Sequence, residues 1–450
     1  MRTQKAIYNI ISSFVLQIVT IICGFIVPRL IIETFGSNIN GLTTSITQFI
    51  SYITLLESGV GGVVKAILYK PLAQKDNLQI SKILKTTEKF FRKIAMIFIV
   101  YLFILGIIFP YLINNEFDPV FTFSMVIVIG ISTFTQYYFG ISYQILLQAD
   151  QKQYITSALQ IGTVILNAIL VVILIKLNCN ILVVKLVSAG VYVIRPILLN
   201  IIIKRKYKID LKQKEDKSLL KQRWDGLAHH IAFFLHTNTD VVVITLFLGV
   251  KEVSVYSVYY MIVSGIEKIT NTFSAGIEAA FGNIMANGEK ENLKNKFDLF
   301  EFISGTITIL LFMSAAILIN DFVAIYTNGI TDVNYNRPIL GYMLLLAEAS
   351  YCIRLPYHTL VTAAGHFKQT KKSAFLEAGI NIVLSIILVN FWGIVGVAVA
   401  TAIAMIYRTI YYVIYLNKNI IYRKISKFYK KLIEIILVGI ESVVTCGLLC

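Results

Sequence analysis

Thirteen apolar stretches run the length of this 450-residue sequence, each close to the roughly 20 residues that carry a helix across a bilayer. They fall at 6–31, 41–64, 94–113, 121–146, 154–175, 181–203, 227–248, 253–279, 300–319, 339–362, 374–391, 394–416 and 432–450. No alternating strand pattern occurs, so a β-barrel is excluded and an all-α polytopic membrane protein is expected. The composition agrees. The chain is 57% hydrophobic and 15% charged, where an ordinary globular chain carries about 25% charged residues. Soluble enzymes, disordered chains and nucleic-acid-binding modules are therefore set aside. The first stretch is no signal peptide, because it is too long for a signal core and ends in Pro28-Arg29 rather than a small-residue cleavage site. The five cysteines include no CxxC pair, so neither a metal site nor a cofactor is expected.

Orientation follows from the basic residues. With the N-terminus placed in the cytoplasm, the inner loops hold 32 of the 41 lysines and arginines. The outer loops hold only Lys176, Lys251 and Arg337, beside Glu33, Glu116, Asp118, Glu252, Asp321 and Asp332. One helix missed or added would break this alternation. The net charge of +16 is thus chiefly a record of membrane orientation and says little about a substrate. The expected location is a bacterial plasma membrane, with the N-terminus cytoplasmic. An odd number of crossings leaves the C-terminus outside; a chain lacking a fourteenth helix is an equally good reading.

The longest basic loop divides the train after its sixth span. This predicts an N-lobe over 1–203, a cytoplasmic linker over 204–226, a C-lobe over 227–416, and an inner loop with a last span over 417–450. The two lobes would be parallel repeats. Sliding 36–73 onto 249–286 aligns Gly36 with Gly249 and Ser51 with Ser264 among five identities, a weak match in so biased a composition. Each second span is followed by a charged amphipathic segment, with Ile80, Ile83, Leu84, Phe90 and Phe91 in one and Leu293, Phe297 and Phe300 in the other. Such segments are expected to lie along the inner leaflet.

An ionisable side chain at mid-bilayer costs roughly 2.5–3.5 kcal/mol on insertion scales, so each needs a reason. The sequence places Arg29, Glu57, Lys185, Arg195, His236, Asp240, Glu267, Lys268, Glu348, Arg354, His358, Glu377 and Arg408 within spans. Together they argue for a water-filled cavity between the lobes. His229, His236 and Asp240 share one helical face, and His236 with Asp240 forms either a protonation-sensitive pair or a packed polar seam. Lys268 could hold a phosphate as a point charge. Pro28, Pro196 and Pro356 stand beside Arg29, Arg195 and Arg354, where proline can loosen the backbone. Arg29 and Arg408 have the alternative of reaching out to the outer and inner interfaces.

Three segments resemble a known superfamily. NIVLSIILVNFWGIVGVAVAT (381–401) is similar to the eleventh and twelfth helices of polysaccharide exporters in the multidrug/oligosaccharidyl-lipid/polysaccharide (MOP) exporter superfamily. Residues 28–67 resemble the first two helices of that group, and TNTDVVVITLFLGVKEVSVYSVYY (237–260) its seventh and eighth. The resemblance implies a two-lobed, V-shaped bundle with alternating access. Within the superfamily it points to the Wzx-like flippases, whose substrate is an undecaprenyl-diphosphate-linked repeat unit for capsule, exopolysaccharide or O-antigen. A lipid-linked sugar diphosphate, membrane lipids, a polysaccharide polymerase and glycosyltransferases are the implied partners. The family carries no short catalytic motif, so site residues follow from depth and charge. Arg29, Arg195, Lys268 and Arg354 are the expected diphosphate-binding residues, and Glu57, His236 and Asp240 the expected ion-coupling residues. The rival is an antiporter exporting small cations through Asp240, Glu57 and Glu348. A membrane-embedded transferase is poorly supported, because the outer loops are short and plain.

Overall fold

In the computed structural model, which describes residues 2–57, 59–210, 224–274 and 277–449, every regular element is helical. The chain divides into two compact units, Met1–Ile231 and Ala232–Cys450. The first contains α1 (Arg2–Phe35), α2 (Ser37–Ser51), α3 (Val60–Gln74), α4 (Asn77–Leu112), α5 (Pro119–Thr135), α6 (Ile141–Ala149), α7 (Gln153–Lys176) and α8 (Ile181–Lys206). Helix α9 (Trp224–Leu248) leads into the second, followed by α10 (Val250–Ser274), α11 (Glu278–Ala286), α12 (Lys290–Tyr326), α13 (Pro338–Ala363), α14 (Phe367–Asn419) and α15 (Ser426–Leu449). Among the described residues each span expected from the sequence falls on helix, the eleventh and twelfth both within α14. Residues 211–223 of the expected linker lie outside the described residues.

Three breaks explain how the spans map onto helices. Helices α2 and α3 are bent by 49° to one another, with a 3₁₀ turn at Tyr52–Leu56 and Gly59 at φ 84° between them. Helix α5 passes into α6 through a π-turn at Gln136–Gly140, the kind of one-turn irregularity often found where side chains do chemistry or bind. Helix α14, 53 residues long, contains two spans folded at Gly393, whose φ 56°, ψ −136° no L-residue adopts comfortably. Gly36 and Gly249, aligned by the repeat, both turn the chain between helices with φ near 85° (84° and 86°).

The amphipathic segments depart from expectation. Asp76 caps α4 by accepting from the Gln79 amide, and the helix then runs unbroken from the charged segment into the membrane. Ile80, Ile83, Leu84 and Phe91 are all buried inside the protein. Leu293, Phe297 and Phe300, on the first turns of α12, pack with Phe281, Tyr357, Tyr412 and Phe428 in one core cluster. The apolar stripes are satisfied by neighbouring helices instead of by lipid. Helical spacing marks an apolar face but does not say whether that face meets protein or membrane.

Candidate functional site

In the second unit, α9, α10, α13 and α14 bring a polar centre into the apolar interior. Asp240 on α9 is buried, and its Oδ2 accepts from the Tyr256 hydroxyl at 2.8 Å and the Thr401 hydroxyl at 2.7 Å. Asn381 Nδ2 donates to Thr401 Oγ1 at 2.8 Å and approaches Asp240 Oδ1 at 3.4 Å. The Asn381 side chain is fully buried, yet its Oδ1 has no hydrogen-bond partner. A buried acceptor left unmade costs roughly 1–3 kcal/mol, so this carbonyl, beside a carboxylate and a hydroxyl, is an oxygen set suited to a small hard cation. Among the described residues no group of three or more His, Cys, Asp or Glu side chains could hold a metal ion.

One turn along α14 from Asn381, Glu377 is shared by two guanidinium groups. Arg354 Nη1 lies 2.6 Å from its Oε1, and Arg408 Nη1 lies 2.5 Å from its Oε2. All three side chains are buried. Each guanidinium also covers a tyrosine ring at 5.0 Å, Arg354 over Tyr351 and Arg408 over Tyr412, which offsets part of its desolvation. Arg408 therefore does not reach out to the inner interface, the alternative open to it from sequence. Glu348 is buried within the electrostatic reach of Glu267, Arg354, Asp240 and Glu377. Lys268 is exposed, while its neighbour Glu267 is half-buried and accepts from Asn271 Nδ2 at 2.8 Å.

The first unit builds a different site around the π-turn. Gln144 Oε1 accepts from Gln136 Nε2 at 3.0 Å and from Arg195 Nη2 at 3.4 Å. Gly140 makes this possible, since a Cβ there would meet the Gln136 side chain at 2.8 Å and Pro196 at 3.0 Å. Arg195 is half-buried, and among the described residues no carboxylate pairs with it. Tyr137, on the same turn, lies near the half-buried Glu57 beside the break between α2 and α3. Arg29 stands one turn from Glu33, with Nε 3.7 Å from the carboxylate. Pro28, Pro196 and Pro356 all sit inside continuous helices.

Of the four expected substrate-binding residues, Arg195 donates to the Gln144 amide oxygen, Arg29 has Glu33 beside it, Lys268 is exposed, and Arg354 is engaged by Glu377. Of the expected ion-coupling residues, Asp240 centres one polar cluster and Glu57 another. The side chains of His229 and His236 lie outside the described residues. Sequence reasoning missed Asn381, Thr401 and Tyr256, and treated Glu377 as one more intramembrane charge. A signal was present: Ser373, Glu377, Asn381 and Ser385 recur every fourth residue in an otherwise apolar helix, and all four are buried.

No protein-family model matches this chain, and no curated protein matches it. Solved structures do. The lipid II flippase MurJ, in an inward closed conformation, aligns with a TM-score of 0.75 at 15% identity, over 98% of this chain and 93% of that one. A multidrug resistance MATE family transporter of the MOP superfamily, inward-facing, aligns with a TM-score of 0.64 at 13% identity, over 94% of this chain and 99% of that one. The MATE multidrug transporter DinF-BH, solved in complex with a ligand, aligns with a TM-score of 0.62 at 15% identity, over 94% and 96%. The chain thus has the all-α fold of the MOP exporters along its length, as the sequence resemblance implied.

Proposed function

We propose that this chain is a flippase that carries an undecaprenyl-diphosphate-linked oligosaccharide repeat unit from the inner to the outer leaflet of a bacterial plasma membrane by alternating access. The fold is one shared by a lipid II flippase and by drug exporters; the reading within that class rests on Arg195. A sugar diphosphate cannot enter hydrocarbon unless protein donors replace its water. Arg195 offers a planar, permanently charged fork that no carboxylate among the described residues neutralises, and Gln136 and Gln144 add amide groups suited to sugar hydroxyls. Arg29 and Lys268 are secondary contacts for the same substrate, whereas Arg354 acts through Glu377. The lipid tail stays in the bilayer, and the protein performs transport rather than bond chemistry.

Coupling is assigned to Asp240 with Asn381 and Thr401, which bind Na⁺ or a proton, and Glu57 with Tyr137 is the corresponding acid of the first unit. An inside-negative potential assists outward movement of a diphosphate by about 2.3 kcal/mol per charge per 100 mV. The second reading is an antiporter for small organic cations, favoured by the buried carboxylates of Asp240 and Glu348. Deleting the gene and complementing it with the wild type or Arg195→Gln separates the two. The flippase reading expects loss of surface polysaccharide on deletion and no rescue by Arg195→Gln. Full rescue by that variant, or unchanged polysaccharide with impaired efflux of a cationic dye, would overturn it.

A further inference from the structure

Charge in the second unit is layered along the helix axes. With a rise of 1.5 Å per residue, Asp240 lies about 12 Å from the end of α9 at Leu248, and Thr401 about 12 Å beyond Gly393. Glu348 is about 15 Å from the start of α13 at Pro338 on the same measure. Arg354 on α13 and Arg408 on α14 lie deeper, about 24 Å and about 22 Å from those ends. Glu377, which joins them, is one turn deeper than Asn381. The shallower layer, Asp240 and Glu348, is acidic. The deeper layer holds Arg354 and Arg408 on a single carboxylate, with Glu267 beside Lys268 at similar depth on α10, and among the described residues it keeps a net charge of one positive unit. His358, whose ring lies 5.5 Å from that of Tyr412, adds no negative charge. A cation entering from the Gly393 end meets attraction first and then fixed positive charge.

We infer that Arg354 and Arg408, held around Glu377, form an electrostatic barrier on the inner side of the Asp240 site, so that in this conformation its cation exchanges with the outer side only. This rests on the proposed cation site at Asp240 and on the proposed cytoplasmic N-terminus, which makes the Gly393 end the outer one. The physical reason is the low dielectric of the interior, where an uncompensated like charge about 10 Å away repels far more strongly than it would in water. Neutralising the carboxylate with one arginine would have been enough to bury it; the second guanidinium supplies the surplus charge. The barrier acts on the Asp240 site and needs no contact with the transported lipid, so these arginines are positioning residues.

The test is radioactive Na⁺ flux in proteoliposomes containing the purified protein and no lipid-linked sugar. Arg408→Gln leaves Glu377 paired with Arg354, so this variant retains a balanced buried pair and brings the layer to neutrality. The wild type is expected to hold a sealed gradient, and Arg408→Gln to raise Na⁺ leak about tenfold as the surplus positive charge disappears. Arg408→Lys keeps the charge and is expected to stay sealed. Adding Asp240→Asn to Arg408→Gln should abolish the leak, because the path runs through the carboxylate. Thermal stabilisation by Na⁺ reports site occupancy separately. If Na⁺ stabilises the wild type but not Asp240→Asn, and Arg408→Gln still leaks no more than wild type, the barrier is overturned while the cation site stands. If Na⁺ stabilises neither wild type nor Asp240→Asn, the Asp240 cluster is not a Na⁺ site and the barrier falls with it. A leak that survives Asp240→Asn also overturns the barrier.

Discussion

Arg354 and Arg195 look alike in the sequence, each an arginine beside a proline deep in an apolar run, but their surroundings give them opposite chemistry. Arg354 is committed to Glu377 at 2.6 Å and buried, whereas Arg195 has, among the described residues, a single long bond to an amide oxygen. Removing one partner of a buried ion cluster leaves the others uncompensated, typically at 3–5 kcal/mol. Glu377→Gln strands two guanidinium groups and is expected to lower stability by about 3–5 kcal/mol, measured as a fall in the melting temperature of the detergent-solubilised protein. Arg195→Gln, with no ion pair to break, is expected to change that temperature little while impairing transport. Equal melting-temperature losses for the two variants would show that Arg195 is structural after all.

Among the elements, the hairpin in α14 was legible as a motif but not as a mechanism. Gly393 supplies the backbone turn at φ 56°. Gly396 serves a different need: a Cβ there would collide with the Leu388 carbonyl oxygen, a backbone atom that cannot rotate aside. Gly396→Ala is therefore expected to destabilise the hairpin by more than Gly393→Ala, whose strain is about 1–3 kcal/mol, and protease sensitivity in native membranes would rank the two.

A second element-scale feature ties α1, α7 and α8 at one end of the first unit. Asp150, between α6 and α7, meets Lys152 at 2.6 Å, Tyr207 at 2.5 Å and Lys5 at 3.4 Å. Partial burial alone would raise its carboxyl, but hydrogen bonds from Lys152 and Tyr207 and the charges of Lys152 and Lys5 hold it below the usual aspartate value. A carboxyl depressed in the folded state stabilises above its unfolded value, about 3.9, and that contribution fades as pH falls through the lower folded value. Asp150→Asn is expected to lower stability at pH 7 and to flatten the loss of stability between about pH 5 and pH 3. A parallel acid limb in wild type and variant would contradict the assignment.

At the scale of the whole molecule, loop charge predicts sidedness. Cysteines introduced at Asn178, Lys251 and Asn334 are expected to react with an impermeant thiol reagent added outside intact cells, and those at Gln151 and Lys290 only after permeabilisation. Labelling of Gln151→Cys in intact cells would invert the proposed topology and with it the direction of the electrostatic barrier. The sequence by itself determined the class of fold, the helical spans and the resemblance to MOP exporters, because hydrocarbon forces each crossing to satisfy its own backbone and to show an apolar run of bilayer length. Those constraints act locally and leave a one-dimensional record. Tertiary structure alone decided which face each amphipathic segment buries, as Ile83 and Phe297 show, and which intramembrane charges are spent on one another. Pairing of Glu377 with Arg354 and Arg408 joins residues 23 and 31 positions apart, and Asp240 meets Thr401 across 161. Electrostatic partners are chosen by distance in space, which helix packing sets and sequence spacing does not record.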